Sequence, residues 1–202
     1  MRQIWLVLAA VASLTVGLAG AARAIEVPLN PDDRILGKAD APITIVEYAS
    51  LTCPHCAAFA RDTLPKIKAE WIDPGKAKLV FRDFPLDGSA VKAAVLARCA
   101  PPDKFYGFID VLFSSQESWA RNPDPTPGLA RIAKLGGMSE EQLNACMADN
   151  ALQDKVLASR LTAEKEYKVE STPTFFINGT KLTGALPYEQ FDEALKKAAS
   201  AQ

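Results

Sequence analysis

An α/β fold carrying an all-helical insertion is predicted for this 202-residue chain by three observations. Two short runs rich in β-branched and aromatic residues, Ile43–Tyr48 and Lys78–Phe84, are separated by a helical stretch, and a strand–helix–strand order with a long crossover requires parallel pairing. From Ser89 to about Glu166 no strand pattern recurs, while apolar residues return at helical spacing. The strand pattern reappears only at Thr174–Ile177, followed by the two-residue hairpin turn Asn178-Gly179.

Residues 1–24 have the makeup of a cleaved secretory signal: Arg2 in a short basic start, an uncharged apolar run from Ile4 to about Ala22, then Ala22-Arg23-Ala24 as a small-x-small cleavage site. A retained anchor is the other reading, since ~20 apolar residues span a bilayer. The Ala-, Gly- and Val-rich run and the cleavage signal favour the leader. Residues 25–202 are then the mature chain, one domain outside the cytoplasm, where disulfides persist. With no Cys near the cleavage point, a lipid anchor is not expected. At 49% hydrophobic residues the chain can fill a core, and with a net charge of −1 and no basic stripe it is not expected to bind nucleic acid.

The mature N-terminus, with Pro28 and Pro31, reads as an extended arm with room for one edge strand. Ile43–Tyr48 is a buried strand bounded upstream by Asp40-Ala41-Pro42. A helix starts at Cys53-Pro54, because proline suits a first helical position whose N–H has no partner. Leu64-Pro65 should kink or interrupt it before a continuation to about Trp71, and Asp73-Pro74-Gly75 is a turn into the second strand. The insertion, about residues 86–167, is predicted to hold helices over Ala90–Ala100, Lys104 to about Phe113, Leu129–Leu135, one started by a Ser139-Glu-Glu-Gln142 capping box, and one from about Ala151 to Tyr167. Residues 122–128, rich in proline, read as a surface loop. After the hairpin, with Lys181–Thr183 as second strand, Pro187 opens a final amphipathic helix presenting Tyr188, Phe191 and Leu195 on one face.

The chemistry concentrates at Cys53-Pro54-His55-Cys56. A sulfur at a helix N-terminus meets unpaired backbone N–H groups and the positive end of the helix dipole, which favour thiolate over thiol. Cys56 lies one turn on, facing the same side, so the pair can close and reopen a disulfide. His55 either donates from its imidazole to the thiolate or is an ordinary exposed histidine. A zinc site is disfavoured, because Cys53, His55 and Cys56 give only three ligands and His55 is the only histidine. Haem attachment would need His where Ala57 stands.

Taken together, Cys53-Pro54-His55-Cys56, the acidic Glu47 before it, the helical insertion and Ser171-Thr-Pro-Thr-Phe-Phe-Ile-Asn-Gly179 resemble the DsbA family of extracytoplasmic thiol:disulfide oxidoreductases, a thioredoxin-like fold with an inserted helical subdomain. The resemblance covers nearly the whole mature chain. It implies Cys53 as nucleophile, Cys56 as its partner, and Glu47 as a buried carboxylate exchanging a proton with Cys56 through water; a solvent-facing strand glutamate is the alternative. It also implies that Pro173 is cis beside the cysteine pair, with Pro54, Thr172 and Pro173 contacting an extended substrate. If Cys53 and Cys56 are the redox pair, the remaining bond joins Cys99 to Cys146; two buried reduced thiols are the other reading.

The function so implied is a periplasmic dithiol oxidase that passes its disulfide to unfolded secreted proteins with reduced cysteines, as a monomer without dissociable cofactor or metal. A membrane quinone-linked partner would reoxidise it. The rivals are a disulfide isomerase or reductase, and a non-catalytic chaperone or binding module with a structural Cys pair. The family's isomerases carry a substantial N-terminal oligomerisation region, and the arm here is short.

Overall fold

Strand β2 (Ile43–Ala49) is buried at every position except Thr44, which is half-buried, and the fold is built outward from it. The computed structural model describes residues 25–201, so the expected leader over residues 1–24 lies outside the described residues. One mixed sheet runs β1-β3-β2-β4-β5. Strand β3 (Ala77–Asp83) pairs with β2 in parallel, and the short edge strand β1 (Ile35–Leu36) lies antiparallel to β3. On the other side β4 (Thr174–Ile177) runs antiparallel to β2, and β5 (Thr180–Thr183) forms a hairpin with β4. Asn178 and Gly179 both have positive φ, 42° and 86°, as a tight hairpin turn of this twist requires.

The crossover from β2 to β3 is helical: α1 (Pro54–Ala58), a π-helical turn (Phe59–Thr63), α2 (Leu64–Ile67) and a second π-helical turn (Lys68–Ile72). The regular α-helix is interrupted ahead of Pro65, as expected, and the helical run continues past it to Ile72. The turn before Pro65 widens by one residue, with the Leu64 N–H bonded to the Phe59 carbonyl, and this absorbs a proline that has no N–H to give.

The insertion comprises α3 (Gly88–Cys99), a 3-10 turn (Pro102–Lys104), α4 (Phe105–Ser114), α5 (Gln116–Trp119), α6 (Thr126–Leu135), α7 (Glu140–Met147) and α8 (Asn150–Glu166). Helix α7 has the full capping box: Ser139 Oγ accepts from the Gln142 N–H and Gln142 Oε1 accepts from the Ser139 N–H. Helix α6 begins earlier than expected, because Pro127 takes a place in its first turn, so the end of the proline-rich segment is helical. There Gly128 permits close approach: a Cβ would come within 2.6 Å of the Trp119 Cβ.

Three apolar clusters hold these layers. Ile43, Ile45, Phe175 and Ile177 on one sheet face pack against Phe59, Ile67 and Ile72 of the crossover and against Phe191 and Leu195 of α9 (Tyr188–Ser200). Val46, Tyr48, Val80 and Phe176 on the opposite face meet Ala163 of α8 and Val169. The third cluster joins Leu51, Cys53 and Cys56 to the insertion through Leu96, Phe105, Leu112 and Trp119, seating the Cys-bearing helix start against the inserted helices. Cys99 and Cys146 are bonded, tying α3 to α7 with their Cα atoms 6.1 Å apart. Among the described residues no helix is long and apolar enough to cross a membrane.

Candidate functional site

Cys53 is the residue that caps α1, in extended conformation (φ −79°, ψ 119°), with Pro54 next and no side-chain cap to compete for the free N–H groups. Its own N–H donates to the Ser50 carbonyl at 3.1 Å, and its carbonyl accepts the first helical bond from Ala57 at 3.2 Å. Cys53 is 5% exposed and Cys56 is fully buried, and the two are free thiols.

Their environments separate them. The Cys53 thiol is lowered from 9.0 to about 5, chiefly by the hydrogen bond from the Cys56 side chain; burial opposes this, and the Thr172 side chain and the backbone N–H groups of Cys56 and His55 assist it. Cys56 is pushed the other way, first by burial, then by its bond to Cys53 and by the charges of Cys53 and Glu47. At neutral pH one sulfur is therefore an anion and its neighbour keeps the proton that it donates.

Glu47 lies on β2 between Phe81 of β3 and Phe175 of β4 in the sheet register. It is 3% exposed, its Oε1 has no hydrogen-bond partner, and burial, followed by the charge of Cys53, pushes its carboxyl up to about 8. Pro54 and His55 are exposed. What His55 gives the sulfur is its backbone N–H, which points along the helix axis; among the described residues no hydrogen bond joins its ring to Cys53.

Opposite the helix start, the Thr172–Pro173 peptide is cis. The Cys53 Sγ lies 3.5 Å from the Thr172 carbonyl, Pro173 is buried, and Thr172 is half-exposed. The chain thus brings Cys53, Cys56, Glu47, Thr172 and Pro173 together from β2, α1 and the approach to β4. Cys99 and Cys146 stand apart, in the insertion.

Several residues around the helix start escaped the sequence reading. Ser50 Oγ accepts from the Thr52 and Leu86 N–H groups at 3.4 and 3.3 Å, and the Thr52 hydroxyl donates to Asp87 Oδ2 at 2.7 Å. Gln116, 7% exposed, donates from Nε2 to the carbonyls of Leu51 (2.8 Å) and Cys53 (3.1 Å). A signal for Gln116 existed: it lies three residues from both Phe113 and Trp119, so a polar side chain interrupts an apolar face. Among the described residues no group of three or more His, Cys, Asp or Glu could hold a metal ion.

The sequence profile of the family described as Thioredoxin matches residues 29–197. A relative in Rickettsia bellii, named for protein-disulfide oxidoreductase activity, is 32% identical over 154 residues, which are 76% of this chain and 60% of that protein. Disulfide bond formation protein D of Bacillus subtilis is 29% identical over 175 residues, 81% of this chain and 75% of its own length. The chain spans roughly three fifths of the length of the rickettsial relatives it matches. Among solved structures, alpha-DsbA1 of Wolbachia pipientis superposes with a TM-score of 0.79 at 35% identity, over 86% of this chain and 94% of that one. A match over most of the chain, on a fold with the same helical insertion, places this chain in the DsbA-like branch of the thioredoxin family.

Proposed function

We propose that this chain is an extracytoplasmic thiol:disulfide oxidoreductase that introduces disulfides into secreted proteins through Cys53 and Cys56. The observation that carries the reading is the split between the two sulfurs, Cys53 lowered to about 5 and Cys56 raised. A stabilised Cys53 thiolate favours the reduced enzyme, and a couple whose reduced form is stabilised is an oxidant.

In the reaction a substrate thiolate attacks Cys53 of the oxidised pair; a bond forms from the substrate sulfur to Cys53 Sγ, the Cys53–Cys56 bond breaks, and its electrons leave on Cys56. Burial resists charge on that sulfur, and the Glu47 carboxyl, protonated at neutral pH, supplies the proton. A second substrate thiolate then attacks the substrate sulfur of the mixed disulfide. Cys53 departs as the thiolate its surroundings favour, so two substrate thiols lose two electrons and the enzyme keeps them as a dithiol. Pro54, Thr172 and Pro173 would guide an extended substrate past the sulfur, and the open backbone before Pro173 suits strand pairing. Residues 1–24 as a removed signal, residues 25–202 as a periplasmic monomer with its insertion at about 86–167, and reoxidation by a quinone-linked membrane partner complete the reading.

Equilibration with a glutathione series gives the potential of the Cys53–Cys56 couple, and paired assays give the direction of the chemistry. The expected result is a strongly oxidising couple in a monomer that quickly oxidises a reduced two-cysteine peptide and poorly rescues scrambled ribonuclease. Efficient rescue by a dimer or trimer would replace the oxidase reading with an isomerase. A pair that resists glutathione altogether would make it a structural staple.

A further inference from the structure

We propose that Gln116 is a positioning residue for Cys53: its side-chain amide, reaching out of the inserted helices, holds the carbonyls of Leu51 and Cys53 and so fixes the backbone that presents the nucleophilic sulfur to its donors. This rests on the thiol chemistry proposed above and adds to it a control point in the insertion.

The geometry is specific. Gln116 opens the four-residue helix α5, and its main chain is anchored there by the Ala120 N–H at 2.8 Å. The side chain is 7% exposed and gives both protons of its amide nitrogen, to Leu51 O at 2.8 Å and Cys53 O at 3.1 Å. Both partners are carbonyls, so only the nitrogen end of the amide can face them, and no rotation of the group would substitute its oxygen. Leu51 is buried, and among the described residues no other donor reaches its carbonyl. Removing the amide leaves a buried acceptor bare in the loop that ends at the nucleophile, and the cheapest relief is for the loop to move.

Movement there has a chemical consequence because the Cys53 donors depend on direction. The thiolate is favoured by the Cys56 side chain, the Thr172 side chain and the N–H groups of Cys56 and His55, and the direction of the sulfur toward them follows the backbone angles of Cys53. Hydrogen bonds weaken steeply with angle, so a small rotation at Cys53 loses several donors at once. Asp87, also in the insertion, restrains the same loop through the Thr52 hydroxyl, but of these two residues Gln116 is the one that bonds Cys53 itself. The inserted helices thus set the orientation of the sulfur and not only the shape of the surface around it.

The test is the Gln116→Met variant of the mature chain, similar in size but unable to donate, with Trp119→Phe as comparison. Trp119 sits on the same short helix, fully buried, and its ring N–H bonds only Leu112 O at 2.9 Å, so its loss loosens α5 and its packing without removing a hydrogen bond from the loop. The Cys53 titration is read from thiolate absorbance, and the glutathione equilibrium beside it. Gln116→Met should raise the Cys53 titration by about one pH unit and shift the glutathione equilibrium about tenfold toward a less oxidising couple. Trp119→Phe should lower the melting temperature and move neither. If Gln116→Met does not fold, Gln116→Leu takes its place: it is uncharged, fills similar space and cannot donate, and Cys53 should again titrate higher. A folded variant at position 116 that titrates like the wild type, or a Trp119→Phe shift of equal size, overturns the proposal. If the wild-type couple proves reducing while the variant still shifts its titration, the positioning role stands and the oxidase reading falls.

Discussion

Two buried groups a few residues apart, Glu47 and Cys53, are displaced in opposite directions, and their contributions to stability have opposite pH dependence. The Cys53 thiolate is favoured in the folded reduced protein, so its contribution is fully present above the range of an ordinary thiol and is lost as pH falls through about 5. Glu47 is the reverse case. Between 4.5 and about 8 the folded protein keeps a proton that the unfolded chain has released, so stability falls as pH rises through that window, and the loss is complete above it. Glutamine has no charge to bury. Glu47→Gln should therefore leave stability nearly unchanged at pH 4.5 and raise it at pH 8 by on the order of a few kcal/mol, measured by urea unfolding of the reduced protein. Oxidation of a peptide dithiol should slow severalfold in the same variant, since Cys56 then leaves without a proton donor. An equal stability change at both pH values would mean that the carboxyl is not the group that titrates.

Helix starts show what the sequence makes legible and what it hides. The capping box of α7 was readable because donor and acceptor are three residues apart, Ser139 and Gln142, and the start of α1 was readable because Cys53-Pro54 is a local signal. Asp87 is also a helix cap, its Oδ1 accepting from the Ala90 N–H at 2.8 Å, but its second bond goes to Thr52, 35 residues away, which only the tertiary fold brings near. The same limit hid Gln116, whose partners lie 63 and 65 residues upstream. The interruption at Pro65 was legible, but not its form, a π-helical turn that absorbs the proline and lets the helical run go on. The cap-plus-anchor arrangement predicts unequal costs. Ser139→Ala removes an exposed cap and should cost about 1 kcal/mol, whereas Asp87→Ala loses cap and loop anchor together and should cost roughly 2 kcal/mol by denaturant midpoint. Equal losses would leave the Thr52 bond without energetic weight.

At the scale of the whole molecule, the succession of strands and helices along the chain and the place of the insertion followed from the change of apolar spacing, while the way the insertion is fastened to the sheet did not. Beside the apolar clusters, that fastening has a polar, long-range part. The Tyr106 hydroxyl accepts the Phe81 N–H and lies within hydrogen-bond distance of the Arg34 and Leu79 carbonyls, Arg98 is paired with Asp83 at 2.8 Å, and Arg160 donates to the Pro85 carbonyl at 2.8 Å. None of these bonds involves Cys99 or Cys146, whose bond closes a loop of 47 residues wholly inside the insertion. The bond therefore acts mainly on the unfolded chain, whose freedom it restricts, and the chain-entropy relation for a loop of this length gives about 4 kcal/mol. The double variant Cys99→Ala, Cys146→Ala should lose roughly that much stability, yet retain the low Cys53 titration and the peptide oxidation, because the groups that orient Cys53 are untouched. In the wild type, alkylation under conditions that open Cys53–Cys56 should add two labels and not four, as read from intact mass. Four labels appearing together would show that the second bond is as readily reduced as the first, and a double variant as stable as the wild type would remove the case for it as a brace.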